Sequence, residues 1–489
     1  MKPLIGQRGV PERAKSRSAN RHVLRDSGLY FGAQLGARAL NFVYFILLAR
    51  TLPTDEFGLL NYVLTVIVTL DIIVDLGLSR HAMREISKYP DQAADFLSRL
   101  LPFKMAAAAA VYVVYCIWVL SLHQPMTYTL IAFFSATGLF STAPAMLLEN
   151  VVQAHHRFAL ISGANVALAV VQFLLGGGIL LLGGSTVAIS LGFAVTYFVY
   201  ASIMASEVLR LGIKFRPAIA PIAVLRSLPS SLPYLVSAII ILLAIRAEFL
   251  VLGYFGTPVE LGLFGMAVKV VEAGMLLPLA LGAVMSPRFA KGHAQVRDQL
   301  QRLYFSGFQV LLLLALAAVL AALVMVPLVP LVLNEPEFDG IDHILRILFI
   351  GYPAACIYIF NTAFLFGAAR QRRPLALMLL LAALQIIINV MLQSQYGMIG
   401  AAMSFTLFMG LAAVISTLFI LILYTGVSGF YQSLATPVAS AVIAFGAYMI
   451  LNQAPETWRL IGALAAFSLS AIAIRVSFPK LTGHIDLSI

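Results

Sequence analysis

The sequence predicts an all-α membrane protein that crosses the bilayer about fourteen times. Three observations predict it. Of 489 residues, 61% are hydrophobic and only 11% charged, whereas an ordinary soluble chain carries about a quarter charged residues. Apolar runs recur from end to end, most of them long enough for a roughly 30 Å hydrocarbon core, and they are continuous rather than alternating, so they read as helices and not as barrel strands. The basic residues gather in short segments between the runs, which is how loop charge orients a helical membrane protein.

The runs lie near 27–50, 58–80, 100–122, 127–150, 159–183 and 185–208, then near 230–256, 259–285, 304–333, 343–367, 373–394 and 397–424. A final pair lies near 434–451 and 457–478, and twelve spans is the alternative count. Loop charge supports fourteen. Lys2, Arg8, Arg13, Lys15, Arg17, Arg21 and Arg25 precede span 1, Arg80, Arg84, Lys88 and Arg99 follow span 2, and Arg210, Lys214, Arg216 and Arg226 follow span 6. Arg288, Lys291, Arg297 and Arg302 follow span 8, and Arg370, Arg372 and Arg373 follow span 10. With fourteen spans all of these share one side, while "SLHQPMT", "LGGSTV", "NEPEFDG" and "QSQYG" on the other side hold no Lys or Arg. The positive-inside rule then puts both termini in the cytoplasm.

The same distribution removes nucleic acid as a partner, because the net charge of +11 is spread over topology-setting loops. Cys116 and Cys356 both fall in apolar runs, so there is no disulfide framework and no CxxC metal signal. The basic stretch 1–26 lacks an apolar core and a small-residue cleavage site, so no cleaved signal peptide is read there. No phosphate loop, H-E-x-x-H or G-x-S-x-G pattern occurs, and the eight histidines show no ligand spacing. Neither catalytic nor metal-ligating residues are assigned, and the expectation is a protein that is not an enzyme. A surface helix is expected in "SPRFAKGHAQVRDQLQRL".

A faint repeat runs through the chain. "TDEFGLLNYV" from Thr54 aligns with "PVELGLFGMA" from Pro258, pairing Glu56 with Glu260 and Gly58 with Gly262, and Arg84 meets Arg288 at the same offset. Two parallel six-helix lobes give this pattern and place a site between them near mid-membrane. The expected division is a basic tail 1–26, an N-lobe 27–210, a linker 211–229, a C-lobe 230–424 and a C-terminal helix pair 425–489.

Polar residues inside the spans point to that site. Tyr30, Gln34, Arg38 and Asn41 fall within about 80° on span 1. A stripe centred on an arginine must face protein or water, since a mid-membrane arginine costs about 2.5–3.5 kcal/mol or more. It reads as a cavity contact for an anion, with a structural ion pair as the other reading. On span 7, Arg246 and Glu248 lie about 200° apart, so Arg246 is expected toward the cavity and Glu248 toward a neighbouring helix. On span 8, Lys269 and Glu272 share a face and neutralise each other in one reading. Asp71 and Asp75 lie on one side of span 2, Asp75 nearer its inner end. Asp75 reads as a structural ion pair or inner-gate latch, and Asp71 as either cavity lining or a helix–helix pair. Glu149 is expected to tie to His155, His156 or Arg157.

Two stretches carry a resemblance. "LLARTLPTDEFGLLNYVLTVIVTLDIIVDLGLSRHAMREIS" is similar to the first signature of bacterial polysaccharide flippases, which runs "AR.L....FG" into "DLGL". "FNTAFLFGAARQRRPLALMLLLAALQIIINVMLQSQYGMIGAAMSF" resembles their second, with a basic step, an Asn-containing helix and "YG..GAA". The match covers roughly residues 27–424 in order. The resemblance implies the two-lobed fold shared with multidrug extruders and lipid II flippases, in the cytoplasmic (inner) membrane of a bacterium. It implies an undecaprenyl-diphosphate-linked oligosaccharide as substrate, moved between leaflets through a cationic cavity that Arg38, Arg246 and Lys269 would line. Polysaccharide polymerase and assembly proteins are the implied partners, alongside membrane lipids. In lipid II flippases an extra C-terminal pair adds a groove for the lipid tail, and spans 13 and 14 either do this or fill space.

No cofactor is expected. The energy source is the membrane potential, an ion gradient or the pull of polymerisation, and a coupled proton or sodium ion would use Asp71, Glu272 or Glu248. The rival readings are a multidrug or cation antiporter of the same superfamily and a membrane polysaccharide polymerase or glycosyltransferase. The first wants an acidic cavity, and the second wants a larger outer loop than "NEPEFDGIDH".

Overall fold

A computed structural model describes residues 36–276, 297–326, 340–368, 372–426, 430–451 and 455–477, with isolated positions at 32, 278–282, 285, 289, 329, 333 and 338. It is all-helical. Among the described residues, ten helices are long and apolar enough to cross a membrane. They include Thr54–Asp75 (span 2), Pro90–Ser121 (span 3), Met126–Ala154 (span 4), Phe158–Leu181 (span 5) and Thr186–Arg210 (span 6). Span 7 is Pro221–Phe255, span 9 Leu300–Met325, span 10 Ile341–Leu365 and span 13 Phe430–Ile450.

The remaining member, Pro374–Thr425, is 52 residues long and supplies both span 11 and span 12. It turns at Gly397, whose φ of 53° and ψ of −130° suit only a residue without Cβ. Helices 36–51, Pro258–Gly274 and Glu456–Ser477 are spans 1, 8 and 14. Among the described residues, helices thus stand at all fourteen of the expected runs. Val114, Ile117, Phe198, Ile350 and Leu380 point outward uncovered. That exposure suits a lipid solvent rather than water.

Local sequence starts and stops the elements. Span 8 opens on a capping box in which Thr257 and Glu260 exchange hydrogen bonds, with Pro258 in the first turn where its missing N–H is no loss. Span 2 ends where Leu76 and Gly77 both take left-handed conformations. A short helix, Leu78–Lys88, follows directly.

One expectation needs correction here. The segment 211–229 is not a linker throughout, because the span 7 helix reaches back to Pro221. Proline is welcome at a helix start, and Pro229 and Pro233 are accommodated within the same helix. Of the expected surface helix after span 8, residues 286–288 and 290–296 lie outside those described, and 297–303 form the start of the helix Arg297–Met325.

Buried polar groups tie the spans together, each hydrogen bond holding where hydrocarbon offers no water. Tyr304 donates to Asn361 at 2.8 Å, and Asn361 donates to Ser416 and Thr417, both at 2.9 Å, joining spans 9, 10 and 12. Gln309 donates to Thr436 at 3.1 Å and fastens span 13 to span 9.

Spans 2 and 8 meet at the repeat itself. A Cβ on Gly58 would overlap the backbone of Pro258 and Gly262, and one on Gly262 would overlap that of Thr54. The acids beside these glycines are placed alike. Glu56 accepts from Thr186 at the start of span 6, and Glu260 accepts from the Met398 N–H (3.4 Å) at the start of span 12.

Candidate functional site

Among spans 1, 2, 4, 5, 6, 7 and 8 lie three adjoining chambers that share lining residues. The middle chamber, about 300 Å³, is bounded by Asn41, Asp71, Arg246 and Lys269 among others. A second, about 490 Å³, shares Asp71 and Arg246 with it and extends to Asp75 and Arg80, where span 2 ends. A third, about 330 Å³, shares Asn41 and Lys269 and lies between spans 1 and 8, with Arg38 and Glu272 in its wall. The first two fall within or near the size range of small-molecule pockets, roughly 300–1,000 Å³.

The charges are unevenly matched. Glu272 receives Arg246 Nη1 at 3.0 Å and Lys269 Nζ at 3.0 Å, so one carboxylate answers two cations. Lys269 also lies 4.5 Å over the ring of Phe45, a cation–π contact that holds its ammonium in the wall. Arg38 is exposed in the third chamber and makes no ion pair among the described residues. A wall of this kind can receive an anion, because arginine presents forked donors and a permanent charge.

Of the residues singled out in the sequence, the structure brings Arg38, Asn41, Arg246, Lys269, Glu272, Asp71, Asp75 and Glu149 to this cavity. Tyr30 and Gln34 lie outside the described residues. Asp71 is held by the Thr142 hydroxyl of span 4 and faces the middle chamber, so it is both helix-paired and cavity-lining.

Asp75 is buried against Lys104, which is fully enclosed and donates to Asp75 Oδ1 at 2.7 Å and to Ser79 Oγ at 2.8 Å. Glu248 turns away from the cavity. It accepts from Gln385 Nε2 at 3.0 Å, and Gln393 Nε2 donates to its carbonyl at 3.1 Å. The expected tie of Glu149 to the residues that follow it is not made. Arg157 instead lies 3.8 Å from Glu207, while Glu149 faces Tyr200 and the inner chamber, because the helix carries its side chain around to the cavity face.

Other cavity residues were passed over in the sequence: Arg80, Asn150, Gln153, Gln172, Tyr197 and Tyr234. A signal existed for part of this set. Thr142, Glu149, Asn150 and Gln153 fall on one face of span 4 at helical spacing. Lys104 was a charge inside an apolar run, which is a functional or structural flag in itself.

The family model of the polysaccharide biosynthesis proteins matches residues 23–293, more than half of the sequence. The chain belongs to this family. Its fold is shared with solved structures of transporters. Lipid II flippase MurJ in an inward closed conformation superposes with a TM-score of 0.73, covering 93% of this chain and 99% of that one at 11% identity. An inward-facing multidrug resistance MATE family transporter of the MOP superfamily gives 0.63, with 78% and 93% covered at 16% identity. An outward-facing member gives 0.55, with 81% and 94% covered at 14% identity. Among curated proteins none matches. This member of the family is therefore a multi-pass membrane protein of polysaccharide biosynthesis with the flippase and transporter fold.

A separate cleft of about 370 Å³ lies between spans 9, 13 and 14. Its walls are apolar apart from Arg346 and the Tyr448 side chain, so it lacks the polar groups of the central cavity.

Proposed function

We propose that the protein moves undecaprenyl-diphosphate-linked oligosaccharide from the cytoplasmic to the periplasmic leaflet by alternating access. The observation that carries this is the cluster of Arg38, Arg246 and Lys269 against Glu272 and Asp71 in the middle and third chambers, while the inner chamber sets Asp71, Asp75 and Glu149 against Arg80 and Arg246. A diphosphate cannot cross hydrocarbon unaided, and such a wall replaces its hydration with directed donors. Arg38 stands in the chamber between spans 1 and 8, with Phe42, Ala273 and Leu276 beside it. There the headgroup meets cations while the prenyl chain stays among apolar side chains.

Spans 1–6 and 7–12 act as two lobes that rock about this site. The Gly58–Gly262 seam closes the periplasmic end, and the end with the basic loops faces the cytoplasm, both termini included. A drug antiporter would favour an acidic cavity for cationic cargo, which the three cations gathered in the middle and third chambers oppose.

In a strain deleted for the gene, lipid-linked intermediates should accumulate on the cytoplasmic leaflet and surface polysaccharide should be lost. Normal export in that strain would refute the reading.

A further inference from the structure

Beyond the cations, the cavity carries a second set of groups on different spans. Asn41 and Gln172 line the middle chamber together with Tyr197, and Asn150 and Gln153 line the inner one. A carboxamide offers a donor and an acceptor side by side, and a tyrosine hydroxyl offers both at one atom. That is the complement of neighbouring sugar hydroxyls, each of which donates and accepts.

These groups are not consumed by the fold. Asn41 Oδ1 is buried without a hydrogen-bond partner among the described residues. No described residue hydrogen-bonds the side chains of Gln153, Gln172 or Tyr197. Asn150 uses one amide hydrogen on the Met146 carbonyl, at 2.8 Å, which leaves its oxygen open. A buried acceptor left unpaired, as at Asn41, is costly, and the part-buried groups beside it open on the chambers, so this wall is made for water or for a polar ligand. Arg246 lines both chambers, so a diphosphate held there has the amides of either chamber ahead of it.

Resting on the flippase reading above, we infer that this amide wall reads the oligosaccharide, while the cations of spans 1, 7 and 8 hold the diphosphate. Gln153 and Gln172 are its specificity-determining residues, because they are the longer of its carboxamide side chains and are unengaged. Diphosphate recognition is common to all such lipids, so discrimination between repeat units has to come from groups that contact sugar.

The test is equilibrium binding to purified full-length protein with two probes, sugar-free polyprenyl diphosphate and the same lipid bearing a short oligosaccharide. Gln153→Leu and Gln172→Leu keep side-chain bulk and remove hydrogen bonding. Each should weaken binding of the oligosaccharide lipid roughly fivefold, the effect of about one hydrogen bond, and the double variant roughly twentyfold or more. Binding of the sugar-free lipid should not change, which also certifies that the variants are folded. Equal losses on both probes, or no loss on either, overturn the inference while leaving the flippase reading intact. Wild-type protein that binds neither probe overturns both.

Discussion

Gly58 of span 2 and Gly262 of span 8 pack backbone against backbone, and they are counterparts in the sequence repeat. Flanking Glu56 and Glu260 each fasten to the start of another span, 6 and 12 respectively, so the seam is braced on both sides. A contact this close excludes any side chain larger than hydrogen.

Gly58→Val should therefore wedge the seam. Overpacking of this kind costs about 1–3 kcal/mol, so the thermal transition in detergent should fall. A cysteine at Asn61, in a chain whose Cys116 and Cys356 are replaced, should become labelled by an impermeant thiol reagent added on the seam side. Unchanged stability together with unchanged labelling would show that the seam is not a closed contact.

The inner end of span 2 depends on a different device. Lys104 is fully buried and Asp75 nearly so, and each is the other's charge partner. Removing one member strands the other, at about 3–5 kcal/mol. Lys104→Met and Asp75→Asn alone should each depress the unfolding transition strongly, and the double variant should recover much of the loss. Additive losses in the double variant would show that the pair is not coupled.

Glu248 lies in an amide network rather than an ion pair, so its charge is less important there than its hydrogen bonds. Glu248→Gln should stay within about 1 kcal/mol of the parent, whereas Glu248→Leu leaves the Gln385 amide unpaired and should lose about 1–3 kcal/mol. Thermal denaturation of the two variants distinguishes these outcomes, and equal stability would refute a hydrogen-bonding role.

Glu272 restrains the cavity's positive charge by answering Arg246 and Lys269 together. These side chains are partly open to solvent, so the electrostatic gain on removing the carboxylate is modest, about 1 kcal/mol. Glu272→Gln should bind polyprenyl diphosphate roughly fivefold more tightly at low salt, and the difference should shrink as salt screens it. Weaker binding in the variant would mean that the carboxylate contacts the ligand favourably.

Much of the fold was legible because hydrocarbon imposes simple rules. Run length marked the spans, and loop charge supported fourteen over twelve. Lone charges were partly legible. Arg246 and Glu248 had to face opposite ways because two residues turn a helix by about 200°. The partners of Asp75 and Glu149 were not legible, since Lys104 is 29 positions from Asp75 and Tyr200 still further from Glu149 in sequence. Helix packing rather than spacing decides such pairs. The neutral amides were missed for another reason. Asn150, Gln153 and Gln172 carry no charge, so an apolar span absorbs them without an obvious cost, and only their convergence on one cavity gives them meaning.

The central claim is that cations in this cavity carry a lipid-linked diphosphate across the membrane. Its most direct test is side-resolved transfer of a fluorescent polyprenyl-diphosphate oligosaccharide in vesicles containing purified protein. Wild-type protein should move the probe between leaflets. Arg38→Ala and Arg246→Ala, inserted in equal amounts, should reduce the rate at least about tenfold, the expected loss of a charge-assisted hydrogen bond. Transfer at the wild-type rate by both variants would contradict the account.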